Sequence, residues 1–257
     1  MTREYYFERV AHRGGAGLAP ENTLAAFRNA LTLSVNAVEL DVHLSRDRQL
    51  IVFHDNEVAR RTNGAGNILD LDFAYLRSLN AAAHFPGGWP QPQQIPTLRE
   101  VLELVKGHVD VYIEIKQSKK KGVYGSYPGI AEAVVQEVRA VGMLGHVLVI
   151  SFDWSVLPHV KQLEPRIRTG ALVSEDVWND RAAGALERLM EQVRALGCEW
   201  INLDRKLFTD LLLRSAHEHG FKLGLWTVNT LDAIRHYAGA GVDSITTDWP
   251  NLFAELR

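Results

Sequence analysis

Two short runs of the chain set carboxylates at alternate positions. In Ala37-Val-Glu-Leu-Asp-Val-His43 an extended backbone puts residues 37, 39, 41 and 43 on one face and Val38, Leu40 and Val42 on the other. In Val111-Tyr-Ile-Glu-Ile-Lys116 the same parity sends Val111, Ile113 and Ile115 one way and Tyr112, Glu114 and Lys116 the other. With both apolar faces packed against neighbouring elements, Glu39, Asp41 and Glu114 converge. Carboxylates brought together repel, and each is driven toward its protonated form unless a cation compensates. A hard divalent ion meets that need, because all-oxygen ligation favours Mg²⁺, Ca²⁺ or Mn²⁺ over zinc. The plainer reading pairs the carboxylates with a basic side chain, and Lys116 stands in the obvious place.

Two histidines close neighbouring apolar runs: His12 in Val10-Ala-His-Arg-Gly14 and His54 in Leu50-Ile-Val-Phe-His54. A pair of imidazoles that titrate near neutrality can supply one general base and one general acid. The chain has ten histidines, so type alone selects none. Position at the ends of strand-like runs beside the carboxylate strand selects these two. Arg13 and Lys116 add fixed positive charge at the same rim. Such cations, with a metal, suit a phosphate diester, whose transition state spreads negative charge over the nonbridging oxygens. Their plainer role is to balance the carboxylates.

The elements that must hold these groups follow from hydrophobic period. Eight short β-branched runs, residues 7–12, 37–43, 109–116, 147–152, 167–173, 199–203, 222–228 and 243–246, alternate with segments of helical spacing. Stop signals stand at Gly142, Gly197, Gly220 and Gly239. Strands that alternate with helices pair in parallel, and eight such units in about 250 residues make one (β/α)₈ TIM barrel with catalytic groups at the C-terminal ends of its strands. An open doubly wound sheet is the alternative, but the glycines after the first strand do not complete a nucleotide-binding pattern. The count makes residues 1–257 one barrel domain. Residues 55–96 are an insertion between the second and third barrel strands, rich in Pro and Gly around Phe85 and Trp89, and residues 117–128 form a second interruption containing Lys119-Lys-Lys121.

Composition sets outer bounds. The chain has 257 residues, 28 Lys plus Arg against 31 Asp plus Glu, and a net charge of −3, which offers no field for nucleic acid. Its single cysteine, Cys198, excludes an internal disulfide and fits a cytoplasmic setting. The first residues lack a signal-peptide core, and no apolar run is long enough for stable membrane insertion.

Taken together and in order, His12-Arg-Gly14, Pro20-Glu-Asn-Thr23, Glu39-Leu-Asp41, His54-Asp55, Glu114-Ile-Lys116, Ser151-Phe152, Trp226-Thr-Val-Asn229 and Thr247-Asp-Trp-Pro250 resemble the glycerophosphodiester phosphodiesterases over nearly the whole chain. The resemblance implies a TIM barrel that hydrolyses a small-molecule glycerophosphodiester, such as glycerophosphocholine or glycerophosphoethanolamine, to sn-glycerol 3-phosphate and an alcohol. It implies one divalent cation, Mg²⁺ or Ca²⁺, on Glu39, Asp41 and Glu114. His12 and His54 match the general acid and base, Arg13 and Lys116 match phosphate contacts, and Trp226 matches a pocket-lining residue. Glu21 matches a further metal or hydroxyl contact, Asn22 fits the N-cap of the first helix, and Asp55 and Ser151 fit supporting positions around His54 and the pocket. Two rivals remain at this level: a cyclising phospholipase D on the same barrel, and a noncatalytic phosphodiester-binding scaffold. Whether identical chains form a homo-oligomer stays open.

Overall fold

The structure, a computed structural model, describes residues 6–120, 123–178 and 183–256. In chain order its strands are β1 (Glu8–Ala11), β2 (Ala37–Leu44), β3 (Leu50–Val52), β4 (Asp110–Ile115), β5 (Gln117–Lys120), β6 (Val123–Ser126), β7 (Val147–Ser151), β8 (Arg168–Val173), β9 (Trp200–Asp204), β10 (Lys222–Trp226) and β11 (Ser244–Thr247). Eight of them, β1, β2, β4 and β7 to β11, are parallel. β1 pairs with β2 on one side and β11 on the other, so the ring closes.

The remaining three strands lie outside the ring. β3 runs antiparallel to β2, with Val42 opposite Val52 and Leu44 opposite Leu50. It opens the insertion, whose Val58, Ile68, Leu76 and Ile95 form a small core of their own. β5 and β6 make an antiparallel hairpin directly after β4.

Helices α1 (Leu24–Ala30), α2 (Phe73–Ser78), α3 (Leu98–Val105), α4 (Ile130–Val141), α5 (Val156–Leu163), α6 (Ala185–Ala195), α7 (Asp210–Glu218) and α8 (Leu231–Ala240) complete the element order. All but α2, which belongs to the insertion, lie between successive barrel strands. Threonines begin several of them: Thr97 opens α3 with a reciprocal capping box to Glu100, and Thr209 and Thr230 each accept a backbone N–H in the first turn. Thr23, not Asn22, caps α1, its hydroxyl accepting from the Ala26 N–H. Asn22 is occupied elsewhere, as described below. Gly241 rather than Gly239 terminates α8, because position 241 is where the chain turns left-handed, at φ 97°.

The strand parity read from the sequence holds. Val38, Leu40, Val42, Val111, Ile113 and Ile115 point outward and are buried against the helices. Inside the ring a second cluster, including Val10, Tyr112, Leu148, Leu172 and Trp200, plugs the barrel below the mouth. Glycine makes room for it. A Cβ at Gly170 would lie 2.5 Å from Asn202 Nδ2, 2.9 Å from Trp200 Cβ and 3.2 Å from Ile150 Cγ2. Gly170→Ala should therefore destabilise the fold by about 1–3 kcal/mol through overpacking. Urea denaturation measures this, and an unchanged midpoint would show that the barrel interior has slack.

Candidate active site

The pairing of β2 with β4 sets Asp41 opposite Glu114 and Glu39 opposite Tyr112. One oxygen from each of Glu39, Asp41 and Glu114 falls within 4.8 Å of the other two. All three residues are buried, Asp41 completely. Two cations answer them. Lys116 Nζ lies 2.6 Å from Glu114 Oε1 and 3.3 Å from Asp41 Oδ1, and Arg13 Nε lies 3.3 Å from Asp41 Oδ2. Thus Lys116 does pair with the cluster, as the plainer reading held, but three carboxylates against two cations still leave an excess negative charge.

That excess falls on Glu39. Burial first, and then the charge of Asp41, push its carboxyl up from the usual 4.5 to about 8. Asp41 goes the other way. Burial would raise it, but Lys116 and Arg13 together hold it far below the usual carboxylate range. Its Oδ1 is buried and accepts no hydrogen bond from the described residues, since Lys116 is near enough for an ion pair but not aligned for one. A buried, all-oxygen set with an unsatisfied acceptor and one more carboxylate than the flanking Arg13 and Lys116 can balance fits a hard divalent cation.

Backbone conformation serves the same cluster. Arg13 and Asn22 are non-glycine residues with left-handed φ of 50° and 58°. Such placements cost on the order of 1–3 kcal/mol and persist only where the surroundings hold them. Here the Arg13 backbone N–H donates to Glu39 Oε2 at 2.9 Å, Asn22 Nδ2 donates to Asp41 Oδ2 at 2.8 Å, and the Asn22 N–H donates to the Arg13 carbonyl at 3.0 Å. Glu21 does not join the carboxylate cluster. It bridges Arg13 at 3.1 Å and Arg61, from the insertion, at 2.8 Å.

The two histidines are held alike. His12 Nδ1 lies 2.5 Å from Asp248 Oδ1, and Asp248 Oδ2 accepts from Asn229 Nδ2 at 2.6 Å. His54 Nδ1 lies 2.7 Å from Asp55 Oδ1, and Arg60 grips both oxygens of Asp55. A carboxylate on Nδ1 fixes the ring and leaves Nε2 free to exchange a proton. His12, His54, Arg13, Lys116 and Trp226 line one cavity of about 120 Å³. Trp226 is held by its Nε1 donating to the Asn202 carbonyl at 2.9 Å and packs edge-on against Phe152, with ring centres 5.6 Å apart. His54, Lys116, Phe152 and Trp226 also border an adjacent groove of about 1060 Å³.

Other candidates fall outside this mouth. Phe85 and Trp89 pack on each other in the insertion. Lys119 borders the groove, Lys120 pairs with Asp70, and Lys121 lies outside the described residues. Ser151 is fully buried, donating to the Ile115 carbonyl. Asp248 and Asn229 stand in motifs that carry the resemblance but received no role from sequence, and Arg60 was not singled out at all. Ser244, Thr246 and Asp248 share the inward parity of β11, so the alternation that found Glu39 and Asp41 would have found Asp248 too. His43, also missed, is wholly buried, and burial holds its imidazole down at about 4, so the ring is neutral.

The sequence matches the glycerophosphoryl diester phosphodiesterase family over residues 12–252. The chain belongs to that family. It is 34% identical to a glycerophosphodiester phosphodiesterase of Caldanaerobacter subterraneus, with 96% of each chain covered. Its fold superposes on a phosphodiesterase of Oleispira antarctica solved with the product sn-glycerol-3-phosphate, with a TM-score of 0.80, 28% identity, and 96% of this chain and 95% of that one covered. A glycerophosphodiester phosphodiesterase of Thermotoga maritima aligns with a TM-score of 0.76 at 26% identity, covering 99% of this chain and 100% of that one. This family member is accordingly a phosphodiester hydrolase on a closed parallel barrel. No helix among its described residues is long and apolar enough to cross a membrane.

The raised Glu39 carboxyl gives a pH signature in metal-free protein. Below 4.5 the group is protonated both folded and unfolded; between 4.5 and about 8 only the folded form keeps the proton, so the stability Glu39 contributes is lost as pH rises through that window. In metal-free Glu39→Gln, which cannot ionise, this part of the slope should vanish. Urea denaturation between about pH 5 and pH 8 compares the two proteins, and parallel slopes would mean that Glu39 ionises normally.

Proposed function

We propose that this phosphodiesterase hydrolyses glycerophosphodiesters such as glycerophosphocholine or glycerophosphoethanolamine to sn-glycerol 3-phosphate and an alcohol, with His12 and His54 as the acid–base pair. The observation that carries the reading is the shared cavity: two imidazoles, each with Nδ1 occupied by a carboxylate, stand over a cluster of three buried carboxylates.

Glu39, Asp41 and Glu114 would hold one divalent cation, Mg²⁺ or Ca²⁺. When bound it would supply Lewis-acid stabilisation of the charge that builds on the phosphate oxygens. Arg13 and Lys116 border the cavity and bring fixed positive charge to the same oxygens. Trp226 and Phe152 form an apolar wall that keeps water from one side of the substrate.

The shape of the site supports a division of labour. The small cavity borders both histidines, whereas the wide groove borders His54 alone. Glycerol, the constant half of the substrate, suits the small cavity, and the variable alcohol suits the groove. His54 then stands beside the departing alcohol and donates the Nε2 proton as the P–O bond to that alcohol breaks. His12 accepts the proton of the attacking oxygen as the new P–O bond forms: water gives sn-glycerol 3-phosphate directly, whereas the adjacent glycerol hydroxyl gives a cyclic phosphate, which a water then opens to sn-glycerol 3-phosphate by breaking the new ring P–O bond. Residues 1–257 act in this reading as one catalytic unit, and the lone, buried Cys198 supports a cytoplasmic setting.

A coupled assay for sn-glycerol 3-phosphate tests the proposal. Glycerophosphocholine and glycerophosphoethanolamine should be cleaved, chelation by EDTA should abolish release, and added divalent cation should restore it. His12→Ala and His54→Ala should each lower kcat about 10²- to 10⁴-fold without loss of fold. Turnover indifferent to EDTA would remove the metal from the reading, and near-native turnover in either variant would remove that histidine.

A further inference from the structure

His54 leaves the fold from an unusual place. His12 follows directly on β1, a strand of the closed ring, but His54 follows β3, which is not in the ring. β3 has three residues. It pairs with β2 on one side and touches the stretch before α3 on the other through the single bridge of Ile51 with Thr97. The backbone bond from the Phe53 N–H to the Asp41 carbonyl, 2.9 Å, is the last rung before His54. Barrel closure therefore does not by itself set where the His54 imidazole stands.

A side chain holds the next atom along. The Nε2 of His43, two residues beyond Asp41 on β2, lies 3.0 Å from the His54 carbonyl oxygen. A carbonyl only accepts, so Nε2 carries the proton and donates. Nδ1 of the neutral ring is then an acceptor, and its partner is the Tyr127 hydroxyl, which donates to it. Both side chains are buried, so neither bond competes with bulk water. Tyr127 comes from the residue after β6, and the hairpin that carries it is itself fastened beside His54. Asn56 Nδ2 donates to the Gln117 carbonyl at 3.2 Å, and Asn56 Oδ1 accepts from the Lys119 N–H at 2.9 Å.

We propose that His43 and Tyr127 are positioning residues for His54: a buried chain from the hairpin hydroxyl through the His43 ring to the His54 carbonyl fixes the strand end from which the catalytic imidazole projects. His43 is buried and does not line the cavity. The inference rests on the reading of His54 as a catalytic acid. Its effect is on geometry, since a misplacement of about 1 Å at a reacting group can cost about 10²-fold in rate.

Steady-state kinetics on glycerophosphoethanolamine, with Mn²⁺ binding and thermal melting measured on the same proteins, test it. His43→Leu keeps bulk but has no donor; kcat should fall about 10- to 100-fold while KM and Mn²⁺ affinity stay within about twofold of wild type. His43→Gln, whose amide nitrogen reaches about as far as Nε2, should recover most of the loss. Tyr127→Phe removes a single hydroxyl and should give a smaller fall in kcat with the same unchanged KM; if His43→Leu does not fold, this variant decides. A wild-type kcat in folded His43→Leu, or in Tyr127→Phe where it must decide, overturns the proposal. So does Mn²⁺ affinity that falls in step with kcat, which would place the effect at Asp41. His54→Ala separates the two levels: wild-type turnover there overturns the acid assignment and this inference with it, whereas an inactive His54→Ala beside an unimpaired His43→Leu overturns the positioning role alone.

Discussion

The mouth of this barrel is organised around a charge imbalance. Glu39, Asp41 and Glu114 are sunk into the ends of β2 and β4, with Arg13 and Lys116 as the fixed cations paired to them. At an effective dielectric of about 20, like charges some 4 Å apart repel by about 4 kcal/mol, so this arrangement cannot be a passive by-product of packing. Much of the neighbouring structure answers it. The left-handed backbones at Arg13 and Asn22 aim an amide and a carboxamide at two of the carboxylates, and Glu21 in turn holds Arg13 in place with help from Arg61 across the insertion. The wide exposure usual for such side chains is replaced by a closed lattice of ion pairs in which Glu39, the carboxylate left over, keeps its proton up to about pH 8.

Both histidines share one orienting device and differ in how their backbones are fixed. Each gives Nδ1 to an aspartate, and each aspartate is braced by a further donor, Asn229 for Asp248 and Arg60 for Asp55. The braces come from distant parts of the chain, the loop after β10 on one side and the insertion on the other. The catalytic pair is thereby assembled from separate supports and aimed at one cavity.

What the sequence disclosed follows from period. Alternation over β2 and β4 showed which carboxylates meet, because in a strand the face of a residue depends only on whether its number is odd or even. The eight barrel strands and the helices between them were legible for the same reason, and so was the ring they close. Side-chain pairings were not. Asn22 looked like a cap because its type and place before α1 allow it, yet Thr23 offers the same chemistry one residue later and frees Asn22 for Asp41. Glu21 carried no mark of the arginine, forty residues away, that would occupy it. The antiparallel course of β3 and the hairpin of β5 and β6 were hidden as well, since neither belongs to the βα rhythm and both take their place from contacts with residues remote in sequence.

The unequal footing of the two histidines has a consequence for how such an enzyme fails. Cooperative opening need not be global; weakly attached segments can come away while the rest of a fold stays intact. Ile51, Phe53 and the insertion that follows share a small core of their own, tied to the ring by the short β3 and by side-chain bonds such as Arg61 with Glu21. A protein built this way would have two thresholds on heating. At the lower one the segment carrying His54 would loosen and turnover would stop, with the ring and its carboxylates still in register; at the higher one the ring itself would unravel. Inactivation would then be reversible across the interval between them, and the barrel would act as the template on which the working site is rebuilt.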